Sequence, residues 1–396
     1  MAYQTTPRAK RAFSTQPGRS LLRALGGALL FAATALFAPL QAKPDTQTAT
    51  PRAVDLVIAL DVSGSMSGLI ASAKQHLWSV VNEMGQAQPQ PDLRVAILSY
   101  GSPRYGQASG YVHIAQPFTR DLDAVNAALF SFTTSGGAEY VARVITTAVD
   151  QLQWTEGENA VRMMFVAGNE SAAQDPKVQI SAAMAKANRA DIVVNTIYCA
   201  QSRGPGASKS WREVAQLGQG MFASIDQNKD AVAQSPAPQD QRLQVLNQKL
   251  NATYIPFGDA GEKRKEAQAR QDTQSGVLGL FSLASRTVTK AGSLYRSGEW
   301  DLVDAIESGT KLDDLEAEAL PKAMRAMSTA EKQRYVEEKA EERAAVKQEI
   351  AQLAEERAAY LKAEREAAPR ETLGLDEAMK AAVRATVTKK GFTFTD

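Results

Sequence analysis

Three side chains with oxygen atoms, Asp61, Ser63 and Ser65, occur at alternate positions directly after an almost unbroken apolar run, 54–60. A carboxylate and two hydroxyls are the hard oxygen ligands that Mg²⁺ and Mn²⁺ prefer. Gly64 permits the tight turn that both serines need to face one point. The spacing predicts a divalent-metal site on this loop. The alternative is a metal-free loop whose hydroxyls cap the helix that follows.

Alternating strand-like and helix-like segments position this loop, and they extend over residues 53–226. Such alternation predicts an α/β fold with a doubly wound, mostly parallel sheet of Rossmann-like type, in which 111–114 is an edge strand. Ligands bind such sheets at the carboxyl ends of the strands. The predicted strands are 54–60, 93–99, 111–114, 161–166, 192–198 and 221–225, and the predicted helices are 69–84, 121–132, 139–154, 176–189 and 210–217.

The segment Asp61-Val62-Ser63-Gly64-Ser65, between a strand and a helix, resembles the metal-ion-dependent adhesion site of the von Willebrand factor type A family. The order and lengths of the elements over 53–226 are similar to that fold. The resemblance implies a bound Mg²⁺ or Mn²⁺, two further loops that supply ligands, and a role in binding protein partners.

The other two loops depart from the family pattern. The usual threonine after a Gly-Gly pair is replaced by Ala138, and the usual aspartate before a glycine is replaced by Ala167. Neither alanine offers a side-chain oxygen, but Glu139 lies one residue further on and Glu170 three residues further on. The resemblance and these acids together predict a metal-binding set of Asp61, Ser63, Ser65, Glu139 and Glu170.

The charge of this set bears on the kind of partner. Three carboxylates around one divalent ion would make its open position less attractive to an acidic ligand. We therefore predict a site that is more structural than adhesive, or a partner that binds through neutral oxygens. Asn169 and Thr134 are further sources of a neutral oxygen.

Composition excludes several other classes of site. The formal net charge is +1, so charge gives no reason to expect a nucleic-acid partner. Cys199 is the only cysteine, so intrachain disulfides and thiolate zinc clusters are excluded, and its apolar surroundings predict burial. With two histidines and no cofactor loop, the chain is predicted not to be an enzyme. A hydrolase that uses Asp61, Glu139 and metal-activated water is the less favoured alternative.

The first 42 residues are predicted to be an export signal. A basic leader precedes a Leu-, Ala- and Phe-rich stretch, 21–40, and a small residue, Ala42, precedes the polar linker 43–52. The alternative is an uncleaved anchor in the inner membrane, since the apolar stretch is long enough to span. Either interpretation places residues 43 onward on the extracytoplasmic side, in a bacterial periplasm or secreted.

The part of the chain after residue 226 has a different character. A linker, 227–241, is predicted to lead into a helical region, 242–327. A long charged helix, 328–368, begins at a Ser328–Glu331 capping box. Its apolar residues form a heptad stripe that is interrupted by charged residues. This pattern predicts either a short coiled coil that allows self-association or a solvated helix packed along one stripe. The tail, 369–396, is predicted to carry a short helix.

Three segments, 165–170, 194–199 and 250–256, are similar to a bacterial group of exported von Willebrand type A proteins with helical extensions. We therefore predict an extracytoplasmic protein-binding module with a metal-assisted site and unidentified protein partners. The alternative is a scaffold protein that acts through its helical C-terminus and has a metal-free sheet domain. Membrane attachment is expected only through the N-terminal segment.

Overall fold

Strand β1, Arg52–Asp61, lies in the middle of the sheet and is buried along most of its length. The computed structural model describes residues 52–199, 204–226, 236–367 and 374–394. The predicted export signal and parts of both predicted linkers lie outside these residues. The other strands are β2, Ala87–Gln88; β3, Pro91–Tyr100; β4, Val112–Thr119; β5, Val161–Gly168; β6, Ile192–Cys199; β7, Gln219–Ile225; and β8, Thr393–Phe394.

Six of the described strands form one sheet in the order β4-β3-β1-β5-β6-β7. All neighbours are parallel except β4, which pairs antiparallel with β3 at one edge. The predicted edge strand at 111–114 is therefore confirmed. The chain crosses from one side of β1 to the other between β4 and β5, so the carboxyl end of β1 lies at the switch in strand order, where such sheets bind ligands.

Helices cover both faces of the sheet. Alternate residues of β1 point to opposite sides: Leu56 and Ile58 pack in one apolar core, and Val57 and Ala59 pack in the other. The helices that follow the strands are α1, Ser67–Gly85; α2, Leu122–Phe130; α3, Val141–Gln151; α4, Ile180–Arg189; and α5, Gly204–Leu217. The predicted fold class, a doubly wound and mostly parallel α/β sheet followed by a helical region, is confirmed.

One predicted helix start is wrong. Pro176 was expected to open a helix, but α4 begins at Ile180. The carboxylate of Asp175 accepts hydrogen bonds from the backbone N–H groups of Lys177 and Val178 at 2.8 and 3.2 Å. This local turn competes with the helix, as short acidic side chains often do.

Helices dominate the described residues beyond 236. They are α6, Asp240–Ala252; α7, Gly261–Val277; α8, Leu280–Ala291; α9, Leu302–Glu307; α10, Lys322–Arg325; α11, Thr329–Ala367; and α12, Leu375–Lys389. The chain turns between α7 and α8 at Gly279, where φ is +113°, so these are two separate helices. The capping box at α11 is present, with reciprocal hydrogen bonds between Ser328 and Glu331.

Helix α11 packs along one stripe against α6, α8 and α9. Val336, Arg343, Ile350 and Arg357 are its buried residues, seven positions apart. Within the described residues, this stripe faces partners in the same chain, as the second interpretation of the charged helix expects. Self-association through α11 stays a prediction.

The last helix, α12, returns to the sheet and packs against α1, β5, β6 and β7. Strand β8 then pairs antiparallel with β2. All described residues lie in one compact unit, Ala49–Asp396. Within the described residues, no helix combines the length and apolar character needed to cross a membrane.

Candidate metal centre at the carboxyl edge of the sheet

Three segments meet where β1 ends. Asp61 is the last residue of β1 and is fully buried. Val62 donates its N–H to the carbonyl of Tyr100, at the end of β3, at 2.9 Å. The N–H of Ser135 donates to the carbonyl of Val62, also at 2.9 Å. These backbone bonds hold the predicted second loop, 133–139, against the first.

Close backbone approach requires two glycines here. A Cβ on Gly101, where φ is +85°, would lie 2.7 Å from Asp61 Oδ1. A Cβ on Gly137 would lie 2.3 Å from the carbonyl oxygen of Gly101. Both distances are well inside van der Waals contact, so neither position accepts a side chain without a backbone shift. The three segments are therefore packed closely around Asp61.

Two carboxyl groups are buried side by side in this arrangement. Glu139, just before α3, is 4 % exposed and lies within hydrogen-bonding reach of Asp61. Burial raises the pKa of Asp61 well above its usual range, and the neighbouring charge of Glu139 raises it further. Burial also raises the pKa of Glu139, although hydrogen bonds to Asp61 and Ser63 lower it in part. Without a cation, the pair holds a proton that ordinary carboxyls release.

Several buried side-chain oxygens at this edge form no hydrogen bond of normal distance and angle with a described group. They are Oδ2 of Asp61, Oγ of Ser63 and Oδ1 of Asn169. Ser63 does donate its backbone N–H to Oδ1 of Asp61 at 2.7 Å. The amide nitrogen of Asn169 donates to Oγ of Ser65 at 2.9 Å, which ties the third loop to the first. Buried oxygens rarely lack partners, so a set of them at one point suits a cation or a water molecule.

Glu170 differs from the other predicted ligands. Its side chain is partly exposed, and Oε2 accepts a hydrogen bond from Gln174 at 2.9 Å. Its charge raises the pKa of Glu139, while its backbone N–H lowers that pKa. The structure therefore brings Asp61, Ser63 and Glu139 together and places Glu170 beside them. The role of Glu170 as a ligand stays a prediction.

From the sequence, Asn169 was expected only as an additional source of a neutral oxygen and not as a member of the predicted metal-binding set. It is fully buried and directly follows Gly168, the last residue of β5. In the sequence, what indicates a role for Asn169 is its position at the carboxyl end of a central strand. The family pattern has its third-loop aspartate two residues earlier, at Ala167. The side chain thus points a polar group to the edge where Ala167 has none.

The donor set fits a hard divalent cation. Carboxylate, hydroxyl and amide oxygens suit Mg²⁺ and Mn²⁺, and a cation would compensate the buried carboxyl pair. Among the described residues, no group of three or more Asp, Glu, His or Cys side chains is arranged as a metal site. The fit therefore depends on two acids together with the neutral oxygens of Ser63, Ser65 and Asn169.

The histidines lie elsewhere in the domain. His113 stacks on Tyr105 with ring centroids 5.0 Å apart, and His76 is buried beside Phe281. Cys199 is buried, as predicted. Neither histidine is among the groups that shift the pKa of Asp61 or Glu139.

Replacing Asp61 by asparagine is expected to stabilise the metal-free protein at pH 7.5 by about 1–3 kcal/mol, the usual cost of an unsatisfied buried polar group. The raised pKa of Asp61 means that the folded state keeps a proton that the unfolded state loses above about pH 4. Stability from this group is therefore complete below that pH and is lost as pH rises through the folded pKa. Urea unfolding in EDTA between pH 4 and 8 measures the difference.

The matched control is Asp150→Asn, because Asp150 is an exposed carboxylate that pairs with Lys186 on the protein surface. This control should change stability by less than about 0.5 kcal/mol at every pH. If Asp61→Asn is no more stable than wild type at pH 7.5, burial of the carboxyl pair does not destabilise the metal-free protein.

Comparison with known proteins gives one family match. The model of the von Willebrand factor type A domain matches residues 55–235. The comparison with curated proteins gave no match.

Solved structures with a similar fold include a mussel protein and a bacterial adhesin. Proximal thread matrix protein 1 from the mussel byssus, in a form with a zinc-occupied MIDAS motif, is 11% identical with a TM-score of 0.36 over 45% of this chain and 43% of that one. The pilus adhesin SpaC of Lactobacillus rhamnosus GG is 15% identical with a TM-score of 0.35 over 46% and 29%. The SpRpn10 VWA domain is 15% identical with a TM-score of 0.34 over 46% and 95%. The chain thus spans less than half of the first two proteins.

Proposed function

Because residues 55–235 match the model of the von Willebrand factor type A domain, we propose that the chain is a metal-assisted protein-binding module. Such domains are protein-interaction modules, and the carboxyl edge of β1 is the proposed binding edge. We propose a binding role rather than a catalytic one. The observation that carries the proposal is the buried carboxyl pair of Asp61 and Glu139, together with buried oxygens of Asp61, Ser63 and Asn169 that form no hydrogen bond of normal geometry with a described group.

The proposed cation is Mg²⁺ or Mn²⁺. Asp61, Ser63, Ser65 and Glu139 would hold it, with Asn169 in place of the missing third-loop aspartate. A bound divalent ion would supply positive charge to the buried carboxyl pair and an open coordination position to a partner. Because two carboxylates already balance a divalent ion, we propose that the centre stabilises the loops as well as binding a partner.

We further propose that the protein acts outside the cytoplasm of a bacterial cell. Support comes from the sequence alone: the basic leader, the apolar stretch 21–40 and the polar segment that follows. The proposed partners are envelope proteins, which the module binds in a metal-dependent way.

Calorimetric titration of Mg²⁺ and Mn²⁺ into chelator-treated protein tests the site. We expect wild type to bind one equivalent, Asp61→Ala to bind none, and Glu139→Gln and Asn169→Ala each to lose at least about tenfold in affinity. Glu170→Gln decides whether the fifth predicted residue is a ligand. Asp150→Ala is the control on an exposed carboxylate.

A wild-type protein that binds Mg²⁺ and Mn²⁺ no better than Asp61→Ala removes the metal from the proposal. Partner binding needs its own measurement, a pull-down from envelope extract with Mg²⁺ or with chelator. A bound set that chelation leaves unchanged contradicts metal-dependent recognition.

A further inference from the structure

Arg143 lies in the first turn of α3, shortly after Glu139, and its side chain contacts two other loops at this edge of the sheet. Nη2 of Arg143 donates to Oδ1 of Asp175 at 3.0 Å. Asp175 belongs to the third loop, residues 169–179, between β5 and α4. Its side chain is 1 % exposed, and that of Arg143 is 18 % exposed. This largely buried ion pair therefore joins the third loop to the helix that follows Glu139.

The second contact of Arg143 is with the loop between β3 and β4, residues 101–111. A Cβ on Gly110 would overlap with Cγ of Arg143, so the stem of the arginine lies directly on the backbone of this loop. The next residue, Tyr111, has its ring centroid 5.6 Å from that of Tyr140. The guanidinium of Arg143 lies 5.9 Å from the centre of the Tyr140 ring. Arg143 and Tyr140 together pack this loop against the start of α3.

The other end of the same loop reaches the buried carboxyl pair. The carbonyl of Tyr111 accepts a hydrogen bond from the N–H of Gly101 at 3.1 Å. A Cβ on Gly101 would lie 2.7 Å from Oδ1 of Asp61 and 3.4 Å from Cγ of Glu139. A series of contacts therefore leads from Arg143 through this loop to both carboxyl groups.

The ion pair of Arg143 and Asp175 uses only one of the two hydrogen bonds that a guanidinium and a carboxylate can share. Nε of Arg143 and Oδ2 of Asp175 are buried and form no hydrogen bond with a described group. Oδ1 of Asp175 accepts from the backbone N–H groups of Lys177 and Val178 as well as from Arg143. Replacing Arg143 therefore leaves a buried carboxylate without its cation and releases the third loop from α3.

We propose that Arg143 is a positioning residue for the candidate metal centre. It holds the third loop and the loop 101–111 on the first turn of α3, which keeps Glu139 and Asn169 beside Asp61. The inference rests on the proposed function, since it assigns these three residues to a metal site. Residues that orient metal ligands without binding the metal typically change its affinity by roughly ten- to a hundredfold.

Calorimetric titration of Mn²⁺ into the chelator-treated full chain tests the inference. Arg143→Met keeps a long apolar stem against Gly110 and removes the ion pair, so we expect the Mn²⁺ affinity to fall about tenfold. Asp175→Asn should lower the affinity by a similar factor. The double variant should lose no more than either single variant, because both changes remove the same interaction. Arg143→Lys keeps the positive charge and should lie between wild type and Arg143→Met.

The matched control is Arg94→Met, which breaks a similar ion pair in the amino-terminal halves of β1 and β3. Arg94 and Asp55 are 2.8 Å apart, and their side chains are 19 % and 0 % exposed, close to the values for Arg143 and Asp175. Arg94→Met should lower the thermal unfolding midpoint at least as much as Arg143→Met does. It should leave the Mn²⁺ affinity unchanged, which distinguishes positioning from a general loss of stability.

Hydrogen exchange of the metal-free protein gives a second readout. The hydrogen bond to Tyr111 protects the N–H of Gly101. We expect this N–H to exchange at least about tenfold faster in Arg143→Met and to change much less in Arg94→Met, because only Arg143 contacts this loop through Gly110.

The outcomes separate the two proposals. A wild type that does not bind Mn²⁺ overturns the proposed function, and the exchange of Gly101 then decides by itself whether Arg143 positions the loops. Wild-type Mn²⁺ affinity in Arg143→Met overturns the inference. Equal effects of Arg143→Met and Arg94→Met, on the affinity or on the exchange of Gly101, also overturn it.

Discussion

Replacing Arg286 by methionine is expected to lower the free energy of unfolding by about 3–5 kcal/mol, the usual cost of breaking a buried ion pair by removing one partner. Arg286 lies on α8, and its fully buried side chain contacts α2 and α7. It donates from Nη1 to Asp123 at 2.7 Å and from Nε to Asp272 at 2.5 Å. Without it, Asp123 would remain in the interior with no buried cation against it, because Lys290 pairs with Asp272.

The buried charges that surround Arg286 are the reason to expect a large loss of stability in Arg286→Met. Asp272 has its pKa depressed by Lys290 and Arg286 against the opposing effect of burial, so the folded state depends on that carboxylate being charged. Arg286 also lies over the ring of Trp78, 4.9 Å from its centre, which adds a cation–π contact. Methionine fills part of the space but replaces none of these charges.

Equilibrium urea unfolding at pH 7.5 measures the loss. The matched control is Arg264→Ala, which removes an exposed arginine that pairs with Asp121, the N-cap residue of α2, two residues before Asp123. An exposed pair is worth about 0–1 kcal/mol, so the control should remain near wild type. Equal losses in the two variants would contradict the argument that burial decides the cost.

The Arg286 cluster also bears on how the chain unfolds. Asp123 belongs to the sheet domain, whereas Asp272, Arg286 and Lys290 belong to the helical region. Because the ion pairs join them, we expect one unfolding transition rather than a separate transition for each region.

The sequence predicts the sheet far better than it predicts these interactions. The apolar run before Asp61 and the helical spacing after it are local patterns, and the fold class follows from their alternation. Ion pairs such as Arg343–Asp301 join residues distant in the chain, which no periodicity reveals. In the sequence, Arg343 and Arg357 only interrupt a heptad stripe, whereas in the structure they are buried within it.

The candidate site was predictable in part for the same reason. Asp61, Ser63 and Ser65 lie on one loop, so their spacing alone places them together. Glu139 comes from a loop that reaches β1 through backbone contacts at Ser135, and its burial beside Asp61 is a tertiary result. The choice between Asn169 and Glu170 depends on side-chain direction, which the sequence does not contain.

A chain that stops at residue 373 is expected not to fold, although the predicted strands and helices of the sheet domain all end well before it. Helix α12 and the turn that leads to strand β8 bury five large apolar side chains against α1 and the sheet: Leu375, Met379, Val383, Val387 and Phe392. Each stabilises the folded state by about 1.5–3 kcal/mol. Together they contribute roughly 10 kcal/mol, as much as the whole unfolding free energy of a typical domain.

Point variants of the full chain make this prediction testable even if the shortened chain aggregates. Met379→Ala is expected to cost about 2–5 kcal/mol, because it leaves a cavity between α12 and the sheet. Lys389→Ala, on the exposed side of the same helix, should change stability by less than about 0.5 kcal/mol. Circular dichroism and urea unfolding provide the measurements. A shortened chain with the melting curve of the full chain would show that the sheet domain closes its core without α12. If so, the tail would not be needed for the fold that positions the loops of the candidate metal centre.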